Sequence, residues 1–451
     1  MSAEVKSMTQ GKPGKLIFFF AIPLMLGNMF QQLYTIVDTL IVSRAVGVNA
    51  LAALGVADWY NYLMLSIIQA AAQGFCILLA QDFGARNDTH LKKTLAHAIR
   101  LSVILTIILT ILAQLSLHSV LALLRTPEAI RPMAALYLGM IFAGIPAQML
   151  FNFTASMLRA LGDSKSPLYA MIIASALNVG LDLLFVMVFH YGIAGAAVAT
   201  ILSQLVSGLI CLQICRKNNY LKLSHTDFGR EEGLNAKLLR LGYPMMLQNI
   251  MISVGGMIVE YVVNGLGVSF VAGFTATNKL YGALEMAAVA YGFAMVTYIG
   301  QNYGAGQTQR IYKGFWSGLV IALVTGAVIG AFMILLGHHI TGAFLAADTP
   351  EAVAARAIAY RYLLIIGGTL PILYLLYVTR STLQGLGDTF MPMISGIAEF
   401  IMRTFMALVM TGIIGGIAVM YGEVVAWVGA DLVLIYALVR QFARWRKSKT
   451  D

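Results

Sequence analysis

Residues 16–46 read LIFFFAIPLMLGNMFQQLYTIVDTLIVSRAV. The stretch is apolar for longer than a hydrocarbon layer of about 30 Å requires of a helix, and so it reads as a membrane span. One carboxylate, Asp38, stands inside it toward the far end. A charge placed there costs about 2.5–3.5 kcal/mol on insertion scales, so it faces protein or water, and such groups mark ion or proton paths.

The rest of the chain agrees with that first stretch. Its 451 residues are 59% hydrophobic and 11% charged, with mean hydropathy +0.80, against about 25% charge in soluble domains. Twelve apolar runs are long enough to span, at about 16–42, 50–82, 94–120, 132–158, 166–190, 193–215, 238–264, 269–302, 312–340, 355–383, 390–412 and 416–441. The reading is an all-α membrane protein.

The thirty Lys and Arg residues set the orientation. Five fall on one side, namely Arg44, Arg125, Arg131, Arg356 and Arg361. Lys279 and Arg403 lie within spans, and the remainder, Arg380 included, fall on the other side. The positive-inside rule then places both termini in the cytoplasm, in a plasma membrane, which an even number of spans satisfies. The net charge of +10 is therefore a topology signal. Basic residues scattered over short loops make no nucleic-acid surface. Cys76, Cys211 and Cys215 lie within spans and read as buried apolar thiols. No cleavable signal peptide is expected, because the first apolar run is long and has no small-residue cleavage site after it.

The chain repeats itself. Pro23-Leu-Met-Leu-Gly-Asn28 returns as Pro244-Met-Met-Leu-Gln-Asn249, and Gln81-Asp-Phe-Gly-Ala85 as Gln301-Asn-Tyr-Gly-Ala305. Leu161-Gly-Asp163 with Pro167 returns as Leu386-Gly-Asp388 with Pro392, and Pro146 as Pro371. The division is an N-lobe at 1–215, a polar linker at 216–237 and a C-lobe at 238–451. Six spans per half is even, so both halves enter from the same side. Two six-helix bundles related by a pseudo-two-fold axis along the membrane normal are typical of secondary transporters.

These motifs carry a family resemblance. IPLMLGNMFQQLYTIVDT, GVNALAALG, QDFGARND and RALGDSKSP in the first half, with YPMMLQN, ATNKLYGALE, GQNYGAG and LQGLGDTFMP in the second, resemble the MATE family of multidrug and toxin extrusion transporters, of the DinF-like branch. The resemblance covers nearly the whole chain. It implies two bundles in a V, exporting cationic or amphipathic compounds in exchange for H+ or Na+ and needing no cofactor. It also implies a coupling site at Asp38, Asn178, Asp182 and Thr200, which would take either a proton or Na+; residue identity leaves both open. Asn178 and Asp182 are four apart and share a helix face.

The second half departs from the family's strongest pattern. Glu260 supplies an acid on the seventh span, but the tenth offers Tyr374 and Tyr377 instead of one. Glu260 then either attracts a cationic substrate or pairs with Lys279. Glu399 and Arg403 are spaced to form a buried ion pair that locks helices. Pro23 and Pro244 are candidate hinges, since proline removes a helical hydrogen bond. Gln31, Tyr34, Met64 and Met257 are candidate lining residues of a pliable, Met-rich cavity.

The expected partners are membrane lipids and small organic substrates, with the chain acting as a monomer. The main rival is a lipid-linked precursor flippase, whose cavity would gather arginines for pyrophosphate. Acids outnumber bases in the spans, which favours cationic cargo. An intramembrane enzyme is a poorer reading, because HExxH and GxSxG are absent, and GxxxxGK[ST] is absent too, so ATP is not the direct driver.

Overall fold

The structure is a computed structural model that describes residues 7–124, 126–229, 231–344 and 349–447, with the backbone alone at Val48, Ile340, Ala343, Phe344, Arg446 and Lys447. Lys6, Arg125, Arg230 and Lys449, which enter the charge asymmetry, lie outside the described residues. Among the described residues there is no strand. The helices are α1 (Pro13–Ala45), α2 (Val48–Gly84), α3 (Asp88–Leu123), α4 (Arg131–Ala143), α5 (Ile145–Ala160), α6 (Lys165–Asp182) and α7 (Gly192–Lys217). After the linker come α8 (Leu234–Asn264), α9 (Val268–Gly304), α10 (Thr308–Phe344), α11 (Pro350–Gly385), α12 (Phe390–Phe405), the short α13 (Thr411–Ile414) and α14 (Ile417–Lys447).

Among the described residues, eleven helices are long and apolar enough to cross a membrane, and α4 with α5, bent by 47°, makes up to twelve if the bent pair is one span. The bend has a local cause. Pro146 has no N–H to donate to the turn before it. Gly144 at the corner lets α7 in, because a Cβ there would sit 2.5 Å from Ile201 Cγ1.

The surface confirms the solvent. Helix α3 exposes Val103, Ile104, Ile107, Ile111 and Leu115 while burying Thr94, His97, Ser102 and Thr106. Polar-in and apolar-out reverses the pattern of a helix in water.

The repeated motifs prove to be helix-boundary devices. Gly162 and Gly387 take φ of 86° and 85°, a left-handed backbone open to glycine at little cost. Asp163 Oδ1 then accepts the N–H groups of Lys165 and Ser166 at 3.1 and 2.9 Å. Asp388 Oδ1 accepts the N–H of Met391 at 3.1 Å, so each Leu-Gly-Asp starts the helix that follows. The next turns match as well. A π-helical segment follows α6 at Leu183–Val188 and another follows α12 at Met406–Met410.

Backbone contacts divide the chain into two compact units. The first contains Ile22–Met246, and the second contains Thr9–Ala21 and the chain from Leu247 onward. The boundaries fall beside Pro23 in α1 and Pro244 in α8, each inside an unbroken helix.

The linker is anchored within the first unit. His97 Nδ1 lies 2.7 Å from Asn235 Oδ1 and Nε2 lies 3.1 Å from the Gly229 carbonyl. Arg100 donates to the Phe228 carbonyl and Lys93 pairs with Glu231 at 3.1 Å. At the end of α2, Asp82 accepts from Thr94 at 2.7 Å and pairs with His90 at 2.8 Å. Its counterpart Asn302 accepts instead from Arg310, which also donates to the Gly11 carbonyl within the second unit.

Candidate ion-coupling site

Helices α1, α6 and α7 bring Asp38, Asn178, Asp182 and Thr200 to one place in the first unit. Asp38 is 7% exposed, and Asn178 and Asp182 are fully buried. The spacing on α6 puts Asn178 and Asp182 on one face, and Asn178 Nδ2 donates to Thr200 Oγ1 at 3.5 Å. The carboxyls of Asp38 and Asp182 are close neighbours. Asp38 Oδ1, both oxygens of Asp182 and the side-chain carbonyl of Asn178 accept no hydrogen bond. Buried carboxylates ordinarily find partners. Two acids side by side, three of their four oxygens unpartnered, with amide and hydroxyl oxygens beside them, form a site that gains by taking up a positive charge.

Two neighbours extend the site. Asp58 on α2 adds a third carboxylate near Asp38. Tyr137 on α4 lies near Asp38, Asp58, Tyr34 and Asp182. Sequence reasoning missed Tyr137, whose setting in PMAALYLGMI carries no polar signal.

A small cavity adjoins the site. Its volume is about 30 Å³, and Gln31, Tyr34, Gln69, Asn152, Thr200 and Gln204 contribute its polar lining. That holds water, since one water needs about 10–15 Å³ on this measure, but no drug-sized molecule. Tyr34 lies beside Gln204 and Gln31. Gln31 and Tyr34 therefore line a polar pocket with room for water beside the acid pair. Met64 is half-buried in α2 and Met257 half-buried in α8, and neither lines this cavity.

In the second unit, Glu260 is half-buried and Lys279 exposed; among the described residues there is no ion pair between them. Glu399 and Arg403 do pair, at 3.3 Å. The pair belongs to a larger chain of charge, with Arg380 to Glu399 at 2.6 Å and Arg403 to Glu423 at 2.6 Å. Arg380 therefore does not belong with the loop cations. It is buried in α11, 6% exposed, held by Glu399 and, at 3.5 Å, by Ser395. Its place one turn from the helix end concealed this, because the sequence alone does not show which way a terminal side chain turns. Glu423 and Asp431 on α14 were missed as well, although both acids lie inside an apolar run.

Up to twelve apolar helices among the described residues and a buried pair of acids with three of four oxygens unpartnered define a polytopic membrane transporter. The MatE family profile matches residues 23–184 and 244–409. The chain belongs to that family, the multidrug efflux transporters whose resemblance its motifs carry. A probable multidrug resistance protein of Bacillus subtilis, YpnP, is 36% identical over 67% of this chain and 68% of its own. A protein of Shewanella oneidensis named FAD transporter is 27% identical over 69% of this chain and 70% of its own. A crystal structure of a MATE transporter in the bent conformation superposes with TM-score 0.90 at 22% identity, covering 100% of both chains.

Proposed function

We propose that this protein is a secondary active antiporter that exports cationic, amphipathic organic compounds in exchange for inward H+ or Na+, with Asp38 and Asp182 as the coupling pair. One observation carries the proposal: both Asp182 oxygens and Asp38 Oδ1 are buried without a partner. A buried carboxylate that meets no cation in the protein is neutralised by one from outside. Asn178 and Thr200 complete an oxygen-lined site suited to Na+. The adjacent polar cavity, with room for water, suits proton delivery equally.

Uptake at the pair changes the charge on α1 and α6. Pro23 lies in α1 next to the unit boundary, so a change in α1 has a hinge to bend about, and Pro244 offers the same in α8. Cation preference follows from Glu260, which no lysine pairs with among the described residues. The relative named FAD transporter gives the contrasting case of an anionic cargo. The chain acts as a monomer in the cytoplasmic membrane, with both termini on the Lys- and Arg-rich side.

The test is dye efflux from proteoliposomes with the Na+ and H+ gradients imposed one at a time. The proposal expects one of them to drive efflux without ATP. Efflux indifferent to both gradients removes it.

A further inference from the structure

The second unit holds buried charge that the coupling pair does not use. A chain of alternating charge runs through it: Glu423 on α14, Arg403 and Glu399 on α12, Arg380 on α11. The links measure 2.6, 3.3 and 2.6 Å. Asp431 on α14 stands at the Arg380 end, 4% exposed, receiving only a long 3.5 Å bond from Thr379, with its Oδ2 unpartnered. Beside the chain, on α9, the half-buried Glu285 accepts a hydrogen bond through Oε1 from Tyr377 Oη at 2.8 Å.

The cluster does not balance. Glu285, Glu399, Glu423 and Asp431 face two cations, Arg380 and Arg403. Arg403 donates to Glu399, Glu423 and the Ile252 carbonyl, and Arg380 to Glu399 and Ser395; of their buried nitrogens only the Nε of each is left unpartnered. Glu285 has no ion pair among the described residues. The groups around it are Tyr281 on its own helix, Tyr374 and Tyr377 on α11, Glu399 and Arg403 on α12, and Glu423 on α14. The charged groups around it are thus two acids and one arginine, itself paired with both of those acids. A carboxylate shielded from much of the solvent and matched by no cation of its own is unfavourable, and the usual remedy is a proton. Among the described residues, no group of three or more acid, His or Cys side chains is set to hold a metal ion.

We propose that Glu285 is a proton-binding site of the second unit, independent of Asp38 and Asp182. A proton from water adds to Oε2 and neutralises the carboxyl, while Oε1 goes on accepting from Tyr377; release returns the proton to water and restores the carboxylate. Arg403, which lies near Glu285 and is bonded to Glu423 and Glu399, feels the change directly, so the charge state of Glu285 biases how α12 and α14 are held. The site is no copy of the first unit's. The repeat offset that matches Gln81 with Gln301 places Leu65 opposite Glu285.

The experiment uses the full chain in nanodiscs, carrying Asp38→Asn and Asp182→Asn so that the first pair is silent. Infrared difference spectra between acid and neutral pH report protonated carboxyl groups, and a pH dye counts protons. The expected result is a carboxylic-acid band that survives in this background. Glu285→Gln removes it and lowers uptake by about one proton per chain. Tyr377→Phe shifts the band by removing its hydrogen bond but does not abolish it. Trp427, stacked on Tyr281 at 5.9 Å, gives a second readout, a pH-dependent fluorescence change that Glu285→Gln eliminates. A band and fluorescence change unaltered by Glu285→Gln overturn the proposal. If that variant fails to fold, an unshifted band in folded Tyr377→Phe overturns it equally. Loss of the band on adding Na+ at constant pH overturns the proton assignment in favour of a metal cation. Failure of Asp38 and Asp182 to couple transport leaves these readouts untouched, so the two proposals fail separately.

Discussion

Arg403→Met should destabilise the second unit by an amount set by the groups it abandons. Arg403 holds Glu423 at 2.6 Å and Glu399 at 3.3 Å. After its removal Glu399 keeps Arg380, but Glu423 keeps no ion pair. Breaking a buried pair costs about 3–5 kcal/mol. The lower end applies here, about 3 kcal/mol, because the Glu423 side chain is 19% exposed and water offsets part of its charge. For a unit of roughly 200 residues, each kcal/mol shifts Tm by about 2–4 °C, so the expected fall is about 6–12 °C. Removing the abandoned acid too, in Arg403→Met/Glu423→Gln, should recover at least half of that, since the cost lies in the orphaned charge and not in the lost attraction. Thermal unfolding in detergent, followed by tryptophan fluorescence and by size-exclusion recovery, measures both. A single variant within about 1 °C of the parent, or a double variant that falls further than the single, refutes the reasoning.

Three further outcomes follow from particular contacts. Gly74→Ala places a Cβ 2.7 Å from the Gly242 Cα, against backbone that cannot yield, so we expect a loss of about 1–3 kcal/mol seen as a lower Tm; an unchanged Tm shows that α2 and α8 separate freely. His97→Ala releases the linker contacts at Asn235 and Gly229 and should speed limited proteolysis of residues 224–235 about 5–10-fold, the effect of one to two hydrogen bonds; an unchanged cleavage rate denies the anchor. Glu260→Gln should weaken binding of a cationic dye more than of a neutral dye of similar size, whereas equal losses, or a parental preference for FAD over the cation, rule out charge reading at Glu260.

Much of the fold was legible because membrane spans announce themselves by length and apolarity. All twelve expected runs correspond to helices, the fourth as a bent pair whose Gly144 and Pro146 were visible but whose angle depends on packing against Ile201. The Leu-Gly-Asp and Gln-Asp/Asn-x-Gly motifs were legible as repeats, while their work as helix starts and end clamps needed the backbone. Of the first-unit cluster, Asp38 was legible because acids are rare in spans, while Asn178, Asp182 and Thr200 came from the family resemblance, with the four-residue spacing placing Asn178 and Asp182 on one face. Tyr137 was not, since an aromatic ring in an apolar run carries no sign of what it touches. Arg380 was misplaced because one helical turn separates a loop cation from a buried one, and its partner Glu399 lies on another helix.

The most direct test of coupling at the acid pair is gradient-driven dye efflux by Asp38→Asn in proteoliposomes, at matched incorporation and beside Asp82→Asn as a control. Asp82 serves a helix end, and the second half carries Asn302 at the equivalent place. Asp38→Asn is expected to fall to the rate of protein-free vesicles under either ion gradient while Asp82→Asn continues to export. Parental efflux by Asp38→Asn would contradict the account.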